Sequence, residues 1–232
     1  SPIMTESGPD SGSAIEDIKL EQDLERGIKA REFELFYQPI VDLKSGDLAG
    51  YESLVRWFHP ERGMVPPLSF IPTAEASGQI LKLTQLCLEQ ATAALSRFES
   101  VRLTNGGDVR YDMFVSVNVS GRDFAEPDFV KNLMRIVGDA GVNPRRMKLE
   151  ITESVLMENP ERAIEALREC RIKGLSIAID DFGTGYSSLG YLHKFPIDTL
   201  KIDRSFVMAM HNDQRSMKVI QSVLRLAEQL RI

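Results

Sequence analysis

The sequence is poor in the residues that form zinc sites and disulfide frameworks. It has only two cysteines, Cys87 and Cys170, and three histidines in 232 residues. The cysteines form no CxxC pair and lie in apolar, helix-like runs, so we expect two buried free thiols in a reducing compartment rather than a disulfide. The histidines show neither HxxxH nor HxxE spacing, which argues against a zinc site.

Long apolar runs and an excess of positive charge are also lacking. No stretch approaches the roughly 18 to 20 uninterrupted apolar residues of a membrane-spanning helix, and the N-terminus lacks the charged-then-apolar pattern of a signal peptide. With 28 basic and 34 acidic residues the formal net charge is -6. This charge balance argues against binding of long nucleic acid, which requires an excess of basic residues. We therefore expect a soluble, cytoplasmic segment without membrane contact of its own, alone or as part of a larger or membrane-anchored protein.

The remaining composition, 43% hydrophobic and 27% charged, is that of an ordinary globular protein. Residues 1–14 are rich in Ser, Gly and Pro without periodicity, and we interpret them as a linker or a cloning remnant. No internal repeat and no second linker interrupts the rest, so we predict a single domain over residues 15–232. Apolar residues recur at helical spacing from Leu20 to Ile28, which predicts a helix leading into this domain.

Strand-like and helix-like segments alternate through the domain. The β-rich runs 35–43 and 48–57 flank the turn-forming sequence Lys-Ser-Gly-Asp, and so short a connection predicts an antiparallel hairpin. The later strands alternate with helices, which predicts parallel pairing and an α/β fold of βα units. The expected strands are 113–120, 147–152, 175–181 and 199–203, and the expected helices lie near 80–98 and 128–140, after Asn159 and through residues 217–230.

Polar side chains stand at or near the C-terminal ends of these strands, where core packing does not require them. One such side chain alone is more often solvated or a helix cap. In a barrel of parallel βα units, however, the C-terminal strand ends share one rim, where active sites are built. Several oxygen-bearing side chains on one rim repel each other unless a cation is present. The residues are Glu52, Asn118, Glu150, Asp180 and Asp181, with Lys201 on a fifth strand.

The donor types indicate which cation would bind at such a rim. Carboxylates with one amide, and no cluster of thiolates or imidazoles, suit the hard cations Mg²⁺ and Mn²⁺. The four acids carry four negative charges, which two divalent cations would balance. Two metal ions about 3.5 to 4 Å apart are the usual means of phosphodiester hydrolysis, because they hold both the attacking and the leaving oxygen. The residues therefore make a two-metal site plausible.

Five motifs, in this order and spacing, resemble those of the EAL-domain cyclic di-GMP phosphodiesterases. The likeness runs from about Leu20 to the end of the chain. It implies a TIM-like (β/α)8 barrel with one antiparallel strand, in agreement with the predicted hairpin. It also implies hydrolysis of one phosphodiester bond of cyclic di-GMP to linear pGpG, in bacterial second-messenger signalling. The motifs are ESLVRW (52–57), VSVNVS (115–120), LEITES (149–154), DDFGTGYSSL (180–189) and LKIDRSFV (200–207).

The resemblance also assigns roles to individual residues. Lys201 matches the family lysine that positions or deprotonates the attacking water, and two nearby cations together with burial would lower its pKa. Arg56 falls where the family contacts a phosphate, with a salt bridge at the rim as the alternative. Gln38 and Leu54 match substrate-contacting positions, with packing inside the barrel as an equal alternative. The implied metal ligands are Glu52, Asn118, Glu150, Asp180 and Asp181, and Glu52 also belongs to the catalytic set.

The resemblance extends to a loop and to partners. The run 181–188 resembles the family's mobile loop, and Glu153 resembles the glutamate that anchors it. In relatives this loop couples dimerisation to activity, so the resemblance implies a homodimer. A linker followed by a helix is compatible with an upstream GGDEF or sensor domain in a larger signalling protein. The implied cofactors are two Mg²⁺ or Mn²⁺ ions, and the implied ligand is cyclic di-GMP.

Two features depart from the family pattern. Ser53 replaces the alanine of the signature tripeptide, and strand alternation turns residue 53 away from Glu52, so we expect the change to be tolerated. Relatives continue past the position of Ile232 with a strand bearing an EGVE-like motif and a last βα unit, whose metal-site glutamate has no counterpart here. About six strands are predicted where a closed barrel has eight. We therefore expect residues beyond 232, or another chain, to complete the fold.

Two other function classes stay open. Some relatives have lost catalysis and serve as cyclic di-GMP receptors, and a domain used only for dimerisation would be a third class. A receptor and an enzyme differ in the metal set, and every family metal position up to residue 232 is filled here. A dimerisation domain has no need of converging metal ligands. The enzyme is therefore our leading hypothesis.

Overall fold

The computed structural model describes residues 11–104, 113–184 and 189–232. The helices in these ranges are α1 (Ser11–Ala30), α2 (Pro67–Ser77), α3 (Ile80–Thr104), α4 (Gly121–Ala125), α5 (Phe129–Asp139), α6 (Glu153–Glu158), α7 (Pro160–Ile172), α8 (Leu189–Leu192), α9 (Arg204–Ala209) and α10 (Gln214–Leu230). The strands are β1 (Phe33–Val41), β2 (Leu48–His59), β3 (Gly63–Val65), β4 (Phe114–Asn118), β5 (Met147–Thr152), β6 (Ser176–Phe182) and β7 (Thr199–Ile202). Among the described helices, none has the length and apolar character needed to cross a membrane.

The strands form one sheet in the order β1-β2-β4-β5-β6-β7, with the short β3 paired to β2. β1 and β2 form the predicted antiparallel hairpin. The pairs β2–β4, β4–β5, β5–β6 and β6–β7 are parallel, as the alternation of strands and helices predicts. Within the described ranges β1 and β7 do not pair, so this TIM-like α/β sheet is an open arc rather than a closed barrel.

Most predicted elements match the observed ones. β5 has the predicted bounds, and α7 begins directly after Asn159, whose side-chain oxygen accepts a hydrogen bond from the Arg162 N–H. Helix α1 begins at Ser11, inside the segment interpreted as a linker. The sequence pattern gave no signal for β3, α2, α4, α6, α8 or α9. All of these except α2 are too short to show a period, and α2 contains prolines.

Alternation along β2 separates the two faces of the sheet. Trp57 faces the helices, and its ring centroid lies 5.1 Å from that of Phe33 on β1 and 5.6 Å from that of Phe70 on α2. The rings of Phe33 and Phe70 are also in contact, with centroids 5.5 Å apart. Ser53 is buried and donates a hydrogen bond of 2.6 Å to the Ser116 carbonyl oxygen on β4. Its hydroxyl is therefore satisfied away from Glu52, as the strand alternation predicts. The even-numbered residues of β2 are left on the inner face of the arc.

Both cysteines are buried free thiols, as predicted. Burial raises the pKa of Cys87 and of Cys170 to about 12. Because the thiolate is the reactive form of cysteine, neither residue is a nucleophile near neutral pH. Cys87 belongs to α3 and Cys170 to α7, and both pack in the hydrophobic core.

We expect Gly50→Ala to destabilise the fold, because the backbones of β2 and β4 meet closely there. An added Cβ at Gly50 would lie 2.5 Å from the Phe114 carbonyl oxygen, so the strands must separate. The expected loss of unfolding free energy is about 1 to 3 kcal/mol, measured by urea denaturation. The control is Gly138→Ala in helix α5, where a Cβ meets nothing within 4 Å. That change should stabilise the protein by about 0.5 kcal/mol. Equal stability of both variants would contradict this account of Gly50.

Candidate active site

One lysine lies among three carboxylates on the inner face of the arc. The Lys201 Nζ lies 3.3 Å from Glu52 Oε1 and 2.8 Å from Asp180 Oδ2, and it donates a further hydrogen bond to Glu150 Oε2. The three acids offer oxygen atoms that all lie within 4.8 Å of one another. These four residues come from β2, β5, β6 and β7. Of the six residues expected at the rim, the structure thus brings four together, Glu52, Glu150, Asp180 and Lys201.

The parallel register places Asn118 beside this cluster. Asn118 of β4 is directly opposite Glu150 of β5, and Thr152 of β5 is opposite Asp180 of β6. Since side chains on neighbouring parallel strands point to the same face when they are in register, the Asn118 amide and the Glu150 carboxylate share the inner face. Asn118 is exposed and Glu150 is 1% exposed.

Asp181 stands apart from the three clustered carboxylates. Its backbone is left-handed, with φ 54°, and its N–H donates to Asp180 Oδ1 at 2.9 Å. Its side chain is exposed on the rim. Partial loss of hydration at the rim, with repulsion from Asp180 and Asp203, raises the pKa of Asp181. The two consecutive acids therefore occupy different places, one inside the cluster and one beside it.

The electrostatics of the cluster follow from burial and from charge. Burial raises the pKa of Glu150, and the neighbouring Lys201 opposes this increase. Burial works to lower the pKa of Lys201, but attraction to Glu150 and hydrogen bonds to Asp180 and Glu150 outweigh it and raise the pKa above its usual value. The pKa reduction expected for Lys201 concerned a site with two bound cations. With carboxylates alone around it, the ammonium form is the stabilised one.

The hairpin of β1 and β2 carries the residues expected to contact substrate. Gln38 is opposite Glu52 in the register, and it is exposed. Arg56 donates from Nη1 to the Val55 carbonyl oxygen at 2.8 Å, and its guanidinium lies 5.7 Å from the centroid of the Phe36 ring. Arg56 makes no ion pair with any residue in the described ranges. The alternative role, a salt bridge at the rim, is therefore not seen among these residues.

A cavity of about 450 Å³ adjoins the cluster. On one side it is lined by residues of the rim, among them Leu54, Arg56, Asn118, Glu150 and Asp181. On the other side it is lined by residues of α2 and α3, including Glu75 and Thr84. The sequence patterns did not point to these helix residues, because a position on a helix does not reveal which strand end the helix covers. Their only sequence signal is that they follow the hairpin that carries Glu52.

Glu153, expected to anchor the loop, is buried at the start of α6. It is 3% exposed, and its Oε2 accepts a hydrogen bond of 3.2 Å from the Gly183 N–H. Its Oε1 is buried without a hydrogen-bond partner among the described atoms. Gly183 has φ 96°, a backbone conformation that is sterically unfavourable for residues with a side chain. Residues 185–188 of the expected mobile loop lie outside the described residues.

Comparison with known proteins gives a consistent family match. The sequence model of the EAL domain matches residues 21–232. A cyclic di-GMP phosphodiesterase named NbdA, from Pseudomonas aeruginosa, is 36% identical over 219 residues, which are 94% of this chain and 27% of that protein. An uncharacterised signalling protein from Caulobacter vibrioides is 39% identical over 213 residues, which are 92% of this chain and 25% of that protein. This chain therefore spans only about a quarter of the length of these relatives.

Solved structures agree with the sequence match. The EAL enzyme Bd1971, in a form with cAMP and cyclic di-GMP bound, superposes with a TM-score of 0.90 at 41% identity, over 95% of this chain and 58% of that one. A complex of the PaMucR phosphodiesterase with cyclic di-GMP superposes with a TM-score of 0.84 at 32% identity, over 92% of this chain and 84% of that one. The open arc described above therefore has the EAL fold.

We expect divalent cations to stabilise the protein through the three clustered carboxylates. Saturating Mn²⁺ or Mg²⁺ should raise the melting temperature of the wild type by about 5 °C, because a ligand that binds only the folded state stabilises it. Glu150→Gln should abolish most of that increase, since it removes the most buried ligand charge. Glu165→Gln, on the exposed side of α7, is the matched control. An equal increase for wild type and Glu150→Gln would mean that the cations bind elsewhere.

Proposed function

This chain belongs to the EAL domain family, and from that premise we propose that it hydrolyses one phosphodiester bond of cyclic di-GMP to linear pGpG. The observation that carries the proposal is the convergence of Glu52, Glu150 and Asp180 around Lys201. It is supported by a 36% identical relative named a cyclic di-GMP phosphodiesterase. It is also supported by the 32% identical phosphodiesterase solved in complex with cyclic di-GMP.

The residues present fit divalent cations of the hard class. Three carboxylates from three strands offer oxygen atoms within 4.8 Å of one another, and one ammonium group compensates only part of their charge. We propose that Glu52, Glu150 and Asp180, with Asn118 and Asp181 beside them, hold two Mg²⁺ or Mn²⁺ ions. When bound, such ions would lower the pKa of a water molecule and neutralise charge on the phosphate oxygens.

The protein's own groups would divide the remaining work. Lys201 would position or deprotonate the attacking water, since its Nζ lies among the ligand carboxylates and can reach a water held there. Arg56 would bind a phosphate, because its planar guanidinium matches two phosphate oxygens and has no ion-pair partner among the described residues. Gln38 and Leu54 would contact the ligand from the hairpin, where they flank Glu52 on the inner face.

We also propose that Glu153 anchors the loop after β6. Its hydrogen bond to the Gly183 N–H joins the start of α6 to the turn that follows Asp180 and Asp181. Holding this turn in place would also hold Asp180 and Asp181, the two acids at the end of β6. For the larger protein we propose a homodimeric, cytoplasmic signalling enzyme with an upstream GGDEF or sensor domain, a proposal that rests on the family resemblance.

A cyclic di-GMP receptor without catalysis is the alternative. The full set of metal-type ligands up to residue 232, together with Lys201, favours the enzyme, because a receptor needs no water-activating group. The two functions predict different outcomes in one assay. An enzyme converts cyclic di-GMP to pGpG, whereas a receptor binds it and leaves it intact.

We expect activity to require a hard divalent cation. Incubation of the purified protein with cyclic di-GMP and Mg²⁺ or Mn²⁺, followed by chromatography, should show pGpG. Excess EDTA should abolish its formation, and readdition of either cation should restore it, because all the proposed ligands are oxygen donors. Full turnover in EDTA, with no bound metal by elemental analysis, would contradict the two-metal proposal. Binding without any pGpG would favour the receptor.

We expect two substitutions to separate chemistry from binding. Lys201→Ala should lower kcat by about 10²-fold or more and leave ligand affinity within a few fold, as for other acid–base groups. Arg56→Ala should mainly raise KM. Arg56→Lys is the matched control, since it keeps the charge but loses the planar pair of donors, and it should restore KM only in part. Turnover of Lys201→Ala at the wild-type rate would show that the lysine has another role.

A further inference from the structure

The cavity of about 450 Å³ beside the acid cluster has a far side that the proposed function does not use. Its rim side holds Asn118, Glu150 and Arg56, where a phosphate would be bound. The opposite walls are largely apolar, and the volume of the cavity is in the range of sites that bind a small organic ligand. The apolar residues of these walls are Leu68, Ile71 and Pro72 of α2 and Ile80, Leu83 and Cys87 of α3.

Most polar side chains on the walls of this cavity are already paired. Thr84 donates to Asp123 Oδ2 at 2.9 Å, and Ser120 donates to the same oxygen at 2.7 Å. Ser53 donates to the Ser116 carbonyl oxygen. These groups are fixed by the protein itself, so they contribute little to the choice of a ligand.

Glu75 differs from these polar residues. It lies on α2, lines the cavity and is exposed. In the parts of the chain that the structure describes, its carboxylate makes no hydrogen bond and no ion pair. A charged acceptor at the wall of an apolar cavity, free of protein donors, is available to a ligand that presents N–H groups.

The base of a guanine nucleotide presents such groups. Guanine carries two neighbouring donors, N1–H and the N2 amino group, which match the two oxygens of one carboxylate. Adenine presents its N1 lone pair at the corresponding place, so a carboxylate there faces an acceptor and repels it. The apolar side chains of the cavity can pack against a purine ring of either kind, so the carboxylate is the group that distinguishes the two bases.

We propose that Glu75 selects guanine by accepting hydrogen bonds from the base of a nucleotide whose phosphate lies at the rim. This inference rests on the proposed function, because the ligand it concerns is cyclic di-GMP or its product. It adds a specificity-determining residue on α2 to the ligand contacts made by the hairpin residues. Leu54 and Arg56 line the same cavity as Glu75, so one nucleotide can touch both groups of residues.

Calorimetric titration with pGpG and pApA, in the presence of Mg²⁺, tests the proposal directly. The two dinucleotides carry the same charge and backbone and differ only in their bases. We expect the wild type to bind pGpG at least about tenfold more tightly than pApA. Glu75→Ala should weaken pGpG binding about tenfold and reduce the preference to within about twofold. The matched control is Glu165→Gln on α7, which should behave as the wild type.

A second variant separates base recognition from a structural role. Glu75→Gln places an amide at the same position, and an amide offers adenine both a donor and an acceptor. We expect this variant to narrow or reverse the preference for pGpG, a result that a loss of fold would not produce. Unchanged melting temperatures should accompany both substitutions, because residue 75 is exposed.

The outcomes distinguish this inference from the function on which it rests. If the wild type hydrolyses cyclic di-GMP but Glu75→Ala and Glu75→Gln keep the wild-type affinities for both dinucleotides, the assignment of Glu75 is wrong and the proposed function stands. Equal wild-type affinity for pGpG and pApA would also overturn the assignment. If the wild type neither binds pGpG nor hydrolyses cyclic di-GMP, the proposed function itself fails and the inference fails with it.

Discussion

The ion cluster around Lys201 is the constraint on which the architecture of the site depends. Three carboxylates from β2, β5 and β6 meet one ammonium group from β7, so four strands must hold their relative register. A slip of one residue in any of them would turn the charged side chain to the helix-facing side. Isolated charges on that side would be buried without a partner, at a large cost in free energy. The cluster and the sheet register therefore specify each other.

Close contacts between strands hold that register where the cluster needs it. Gly50 lets β2 approach the Phe114 backbone, and Ser53 donates across to the Ser116 carbonyl oxygen. Both contacts flank Glu52, the residue of β2 that reaches Lys201. The ring contacts of Trp57 with Phe33 and Phe70 pack the far end of the same strand against β1 and α2. One strand thus carries a catalytic candidate on one face and a core anchor on the other.

The parts of this structure that sequence patterns could predict are those with a local signal. The hairpin has β-rich runs with a short polar turn, and α7 begins with an Asn159 cap followed by proline. The convergence at the rim follows from strand ends in a parallel sheet, so Glu52, Glu150, Asp180 and Lys201 were within reach of sequence reasoning. The position of Glu75 was not, because it depends on how α2 packs across the hairpin. Local patterns do not encode that packing, and the prolines of α2 hide its helical period.

The junction between β5 and α6 joins two groups of residues that sequence motifs present separately. Glu150 near the end of β5 belongs to the ion cluster, and Glu153 at the start of α6 accepts a hydrogen bond from the Gly183 N–H. The second oxygen of Glu153 is buried without a partner among the described atoms, so this carboxylate is only half satisfied. Only Ile151 and Thr152, the last residues of β5, separate the two glutamates, so the ion cluster and the hydrogen bond to Gly183 lie at one strand–helix junction. The acids of β6 precede that same turn, with Asp181 in a left-handed backbone conformation. The turn at Gly183 is therefore tied by Glu153 to the same strand–helix junction that supplies Glu150 to the ion cluster.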